Sequence, residues 1–170
     1  MNRDLRVPAA HLADADDDEL AWRVIEPAFE EVSIYDGPEV LATHLRSLTG
    51  GQRALLALHW CVSETMNGGF DQFFTNPGGL LADEAYAAFE RIGAPEAAAL
   101  LAEARAILPS RPAEADPTDP EFDEVDHAER FDAYRARYEP LETRFYELVD
   151  TRIYPRAAEY VRAHPNEFTW

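Results

Sequence analysis

Apolar residues recur along the chain at three- and four-residue steps, and no stretch alternates at the two-residue period of a half-buried strand. Leu20, Val24, Ala28 and Val32, widened by Trp22, Ile25 and Phe29, trace one such face. Asp16-Asp17-Asp18-Glu19 opens that helix, because carboxylates favour the positive end of the helix dipole. Pro27 predicts a kink or a second start. A short helix is expected over Pro38 to Ser47. Thr49-Gly50-Gly51-Gln52 then reads as a capping box, a Thr hydroxyl and a Gln three residues on satisfying orphan amides. The helix it starts places Leu55, Leu58, Val62 and Met66 on one face, and Leu56, Trp60 and Cys61 fill most of the rest. Apolar nearly all round, this is the expected central buried helix. Asn67-Gly68-Gly69 is expected to end it, since Gly tolerates the backbone of a helix C-cap.

Phe70, Phe73 and Phe74 share one short helical turn, broken by Asn76-Pro77-Gly78-Gly79. Ala85, Phe89 and Ile92 predict a helix from Leu81 to Ile92, closed by Gly93. Ala97, Leu101, Ala104 and Leu108 predict another from Pro95, whose ring suits a first turn. Pro109, Pro112, Pro117 and Pro120 mark an extended acidic connector over 109–120. Beyond it Phe131, Tyr134, Tyr138, Leu141, Phe145 and Leu148 form a stripe that Pro140 divides into two helices, and Ile153, Ala157 and Tyr160 continue it. The expectation is an all-α fold. A loose segment over 1–15 precedes one helical domain over 16–170 with a central buried helix and an acidic periphery.

Composition changes this picture through charge. The 170 residues carry a net charge of −18, and all 15 basic residues are Arg. Such a surface repels nucleic acid and anionic membrane, and it attracts basic proteins or cations. Ten acids stand against Arg23 between Asp14 and Glu39, and twelve against four Arg between Asp116 and Asp150. Acid is therefore concentrated in two blocks that flank a nearly balanced middle. Carboxylates four residues apart on a helix lie ~6 Å apart along its axis, comparable to the phosphate spacing of one DNA strand. The rows Asp16, Glu19, Glu26, Glu30 and Glu121, Glu124, Asp132, Glu139 could present phosphate-like charge, interrupted by Arg23 and Arg135. A solvated helix face with local ion pairs accounts for the same spacing. One cysteine, Cys61, excludes an internal disulfide and suits a reducing cytoplasm, and no apolar run approaches a membrane span.

The stretch from Glu64 to Asn76 carries the most specific pattern: Glu64, then Asn67-Gly68-Gly69-Phe70, then Gln72 with Phe73 and Phe74, and Asn76. It resembles the signature of a bacterial domain family whose best-known type is a DNA-mimic protein. Ile92-Gly93-Ala94, after an alanine-rich helix, is similar to that family as well. The resemblance is firm from about Trp22 to Leu108. It implies an all-α domain with no cofactor, the capacity to form a homodimer, and an acidic surface that competes with DNA for a basic, DNA-binding partner such as a transcription regulator. The partner-binding acids are then Asp16, Asp17, Asp18, Glu19, Glu26, Glu30, Asp123, Glu124 and Asp126.

Physically the signature reads as scaffold. Gly68 and Gly69 permit a tight reversal, the three Phe fill core, and Asn67 and Asn76 can satisfy loop amides. The alternative is a small-ligand or catalytic pocket near the Asn67–Asn76 turn, with Glu64 and Gln72 facing it. Other chemistry is thin. Asp123 and His127 could share a helix face as metal ligands, but no second pair completes a site. His59 and Cys61, two residues apart, point away from each other on a helix. Ser63 could instead take a hydrogen bond from His59. No Lys exists to serve a P-loop, and no enzyme activity is expected.

Overall fold

The computed structural model describes residues 4–13, 15–31, 33–116, 118 and 122–170. Val32, Pro117, Pro120 and Glu121, and the side chain of Asp18, lie outside the described residues. After one helical turn at Ala10–Ala13, the described chain forms eight helices. They are α1 (Asp17–Glu31), α2 (Pro38–Ser47), α3 (Gly50–Thr75), α4 (Ala82–Arg91), α5 (Pro95–Ile107), α6 (Glu124–Arg135), α7 (Glu139–Leu148) and α8 (Tyr154–Ala163). The extended pairing among described residues is one isolated bridge between Val7 and Thr169. The fold is all-helical.

The punctuation acts where the sequence puts it. Pro38, Pro95 and Pro140 each occupy the first turn of a helix, where a missing N–H costs nothing. Gly93 turns the chain after α4 at φ 77°. Thr49 Oγ1 accepts the Gln52 amide at 3.1 Å, and Gln52 Oε1 accepts the Thr49 amide at 3.2 Å, which completes the capping box. The same hydroxyl donates to Glu167 O at 2.7 Å, so the start of α3 also holds the C-terminal segment. Pro27 marks no second start, because α1 runs through it as one helix.

α3 lies at the centre, packed against α1, α4, α5 and α7, while α1 also packs on α8. Its buried face centres on Leu58, Cys61 and Thr65. Met66, expected on that face, is 53% exposed. Each four-residue step overshoots a helical turn by about 40°, so the row from Leu58 through Val62 has rotated out of the core by Met66. α2 docks on α1 through His44, whose Nε2 donates to Ala28 O at 2.9 Å. That carbonyl lies in the last turn of α1, where a side-chain donor can reach it. The segment expected to be loose contributes buried Leu5 and Val7, and Val7 N donates to Phe168 O at 2.8 Å.

The capping box supplies a direct check. Thr49→Ala should lower stability by about 1 kcal/mol, the usual cost of losing a hydroxyl N-cap. Denaturant unfolding should give a reduced midpoint with an unchanged slope.

Candidate functional site

α3 does not end at Asn67-Gly68-Gly69 as the sequence suggested; it bends there and resumes. Gly68 sits at φ −149°, ψ 20° and Gly69 at φ 79°, ψ −180°, after which Phe70 to Thr75 are helical again. Gly69 is extended with positive φ, a conformation closed to other residues, so it serves as a joint rather than as a left-handed cap. A bend creates orphan backbone groups on both sides. α7 meets them. Glu142 Oε1 accepts the Phe70 amide at 2.8 Å, and Tyr146 Oη donates to Thr65 O at 3.2 Å. A Cβ at Gly69 would collide with the Glu142 carboxylate, and one at Gly68 with the Gln72 side chain. Burial pushes the Glu142 carboxyl above its usual range, the Phe70 amide opposes that, and the nearby charges of Glu139 and Asp71 add to it.

The joint folds the second half of the signature back on the first. An unbroken helix would set residues 64 and 76 about 18 Å apart along its axis. Here Asn76 Nδ2 donates to Glu64 Oε2 at 2.7 Å, and Gln72 Nε2 reaches the same oxygen at 3.0 Å. Tyr35 Oη donates to Oε1 at 3.4 Å. Glu64 is 7% exposed, and among the described residues no cation pairs with it. Phe70 and Phe73 are fully buried, and Phe70 packs edge-on against Phe145 of α7. Phe74 is partly buried against both. The two Asn do not satisfy loop amides as expected. The Asn76 side chain goes to Glu64, because the bend brings that carboxylate within reach, and Asn67 is exposed.

A second carboxylate of this stretch, Asp71, ties the far segment to the joint. Asp71 Oδ1 accepts Tyr134 Oη at 2.9 Å and Arg111 Nε at 3.1 Å, and Tyr134 bonds Tyr138 at 2.9 Å. Arg111 also stacks over Phe131. The stretch expected as a linker is thus pinned at Arg111. Beside Asn76 the surface opens into a groove of about 510 Å³, lined by Tyr35, Pro38, Phe74, Pro77 and Leu80 among others.

The acidic residues take several roles. Glu19, Glu26 and Glu30 share the outer face of α1, opposite buried Leu20, Val24 and Ala28. Glu19 pairs with Arg23 at 2.6 Å, and Asp17 pairs with Arg162 of α8. Asp16, Glu26, Glu30 and Glu124 are exposed, and among the described residues none of the four is ion-paired. Asp123 caps α6 through the Val125 and Asp126 amides, and Asp126 lies 3.8 Å from Arg130.

A family model described as DMP19-like protein matches residues 46–164, about seven-tenths of the chain. The chain belongs to the DMP19-like family. This is a family of DNA mimics. No curated protein and no solved structure matches the chain. The DMP19-like match contains the joint, Glu64 with its partners Gln72 and Asn76, the Arg111 anchor and the acids of α6, while Tyr35 lies ahead of it. It leaves α1, with Asp16 to Glu30, ahead of its first residue.

The remaining sequence candidates resolve into packing. His127 lies between the rings of Phe122 and Phe131. His59 sits among Trp22, Phe29 and Trp60, and burial lowers its pKa. No His59–Ser63 hydrogen bond forms among the described residues, because the imidazole turns to that aromatic cluster while Ser63 faces outward. The Cys61 thiol is fully buried and pushed well above its ordinary pKa, the opposite of a reactive thiolate. No signal in the sequence pairs Glu142 with Phe70 or Arg111 with Asp71, partners 72 and 40 residues apart.

Substitutions at two positions test the joint. Gly69→Val should cost about 1–3 kcal/mol or more, from strain at positive φ and from the collision with Glu142. Glu142→Gln keeps a carbonyl for the Phe70 amide and removes a half-buried charge, whereas Glu142→Ala loses the acceptor, at about 1–2 kcal/mol. Because the folded state raises the Glu142 pKa, the protonated form favours folding and ionisation costs stability. Thermal melts should therefore show Glu142→Gln gaining on the wild type as pH rises through the carboxylate range, with Glu142→Ala below both.

Proposed function

We propose that this DMP19-like domain occupies the DNA-binding surface of a basic protein, such as a transcription regulator, through its exposed acidic helices. The observation that carries the reading is the outer face of α1, where Glu26 and Glu30 stand four residues apart without an ion pair among the described residues. Glu19 continues the same face, and the acids at the start of α6 add a second group. Family membership supports a mimic role, and a net charge of −18 supports a basic partner over direct contact with nucleic acid. The described residues hold no group of three or more His, Cys, Asp or Glu placed to hold a metal. No described helix is long and apolar enough to cross a membrane. On this reading the protein works in the cytoplasm beside its partner, and a homodimer would double the acidic surface.

The acids divide by role. Asp123 caps α6 and Asp17 ties α1 to α8, whereas Glu19 and Asp126 pair only with an exposed Arg on their own helix, so Asp16, Glu19, Glu26, Glu30, Glu124 and Asp126 form the set whose charge is offered to the partner. Converting these six to Asn or Gln should leave the melting temperature within a few degrees and weaken association at least tenfold. Wild-type affinity should fall steeply with salt, because exposed charges are screened beyond ~8 Å at physiological ionic strength. The measurement is a fluorescence-anisotropy competition among this protein, an identified basic partner and that partner's operator DNA. Mutual exclusion is expected; a ternary complex, or affinity indifferent to the six changes, removes the mimic reading.

A further inference from the structure

Among the described residues Glu64 stands apart from the other carboxylates: it is almost fully buried, yet its hydrogen-bond partners are all neutral. Its two oxygens are unequally served. Oε2 receives two short bonds, from Asn76 at 2.7 Å and Gln72 at 3.0 Å. Oε1 has the Tyr35 hydroxyl alone, at 3.4 Å, beyond the usual length of an O–H···O bond. A carboxylate has capacity for about four donors, so Oε1 retains room for one or two more. A carboxylate taken out of water and left without a counter-charge is costly, and a cation supplied from outside would repay that cost.

The position of Oε1 points to where such a cation enters. Tyr35 is 61% exposed and, with Asn76, lines the open groove of about 510 Å³. Two of the three groups that touch Glu64 therefore form part of the groove wall. Most of the other lining side chains are apolar, with Thr75 the polar exception: the ring of Phe74, the rings of Pro38 and Pro77, and Leu80, which is 54% exposed. A planar cation suits these walls, because guanidinium stacks on aromatic faces and presents paired donors to a carboxylate, which a compact ammonium does not. The negative charge of Glu64 already holds the Tyr35 phenol above its usual pKa, so the two groups are in electrical contact.

We propose that this groove is a guanidinium-binding site in which Glu64, reached past the Tyr35 hydroxyl, supplies the counter-charge. The inference is independent of the acidic helices and of the DNA-mimic reading. Two sources carry the chemistry, a free small guanidine or the arginine side chain of a docked protein.

The test is a ¹⁵N-NMR titration of the full chain with agmatine and, separately, with an N-acetylated, C-amidated Ala-Arg-Ala peptide. Saturable shifts are expected at the side-chain amides of Asn76 and Gln72. Glu64→Gln, near-isosteric and able to keep an acceptor for both amides, should weaken binding at least tenfold. If that variant does not fold, Leu80→Arg places a tethered guanidinium at the exposed groove wall and should weaken binding to a similar degree. The neutralised face Glu19→Gln, Glu26→Gln, Glu30→Gln should bind both probes within twofold of wild type. Tighter binding of the peptide assigns the site to a protein arginine, and tighter binding of agmatine assigns it to a small molecule; either ordering supports the site. No shift at Asn76 and Gln72, binding unaffected by Glu64→Gln or by Leu80→Arg, or equal loss in the α1 variant overturns it.

Discussion

A helix that bends inside a protein core must find partners for the amides and carbonyls the bend exposes, and in this domain the partners come from one neighbouring helix. Glu142 takes the Phe70 amide and Tyr146 reaches the Thr65 carbonyl, so α7 is fastened to both sides of the Gly68–Gly69 joint. Much else follows from that contact. The bend turns Phe70 and Phe73 inward against Phe145. It returns Gln72 and Asn76 to Glu64, and it aims Asp71 at Arg111 and Tyr134, which hold the connector and α6. Gly69 is required by its backbone angle and by the Glu142 carboxylate beside it, and a side chain at Gly68 would displace Gln72.

Local structure was readable from the residues because its causes are local. A hydroxyl with a Gln three positions on, a Pro in a first turn, and a Gly after an apolar stripe each act within one helical turn. That is why the α3 capping box and the starts of α2, α5 and α7 stand where the pattern puts them. Periodicity fails at Met66, since a row of four-residue steps drifts off the buried face. The Glu64–Asn76 motif announced itself, but its geometry did not. Gly-Gly reads equally as a cap or a bend, and the choice rests on Glu142, far along the chain. The acids show the same limit: composition counts them, while only the fold separates the cap Asp123 and the paired Asp17 from Glu26 and Glu30.

Signature and charge therefore serve different ends. Within the matched DMP19-like region the signature organises the core and carries a buried carboxylate, and the groove beside it takes part of its wall from Tyr35 and Pro38, ahead of that region. The outer face of α1 precedes that region and carries acids that the fold does not use. A domain built this way can keep its interior while its exposed charge is fitted to a particular basic partner, because surface carboxylates contribute little to stability and much to long-range attraction.

The joint is a rigid structural element and not a frayed or opening turn. Native-state hydrogen exchange at the Phe70 amide tests it most directly. Held by Glu142 and buried beneath α7, that amide should exchange through global unfolding alone, with a protection free energy equal to that of the innermost amides of α3. Exchange of Phe70 orders of magnitude faster than that of Cys61 or Val62 would mean that the joint opens independently, and would contradict the account.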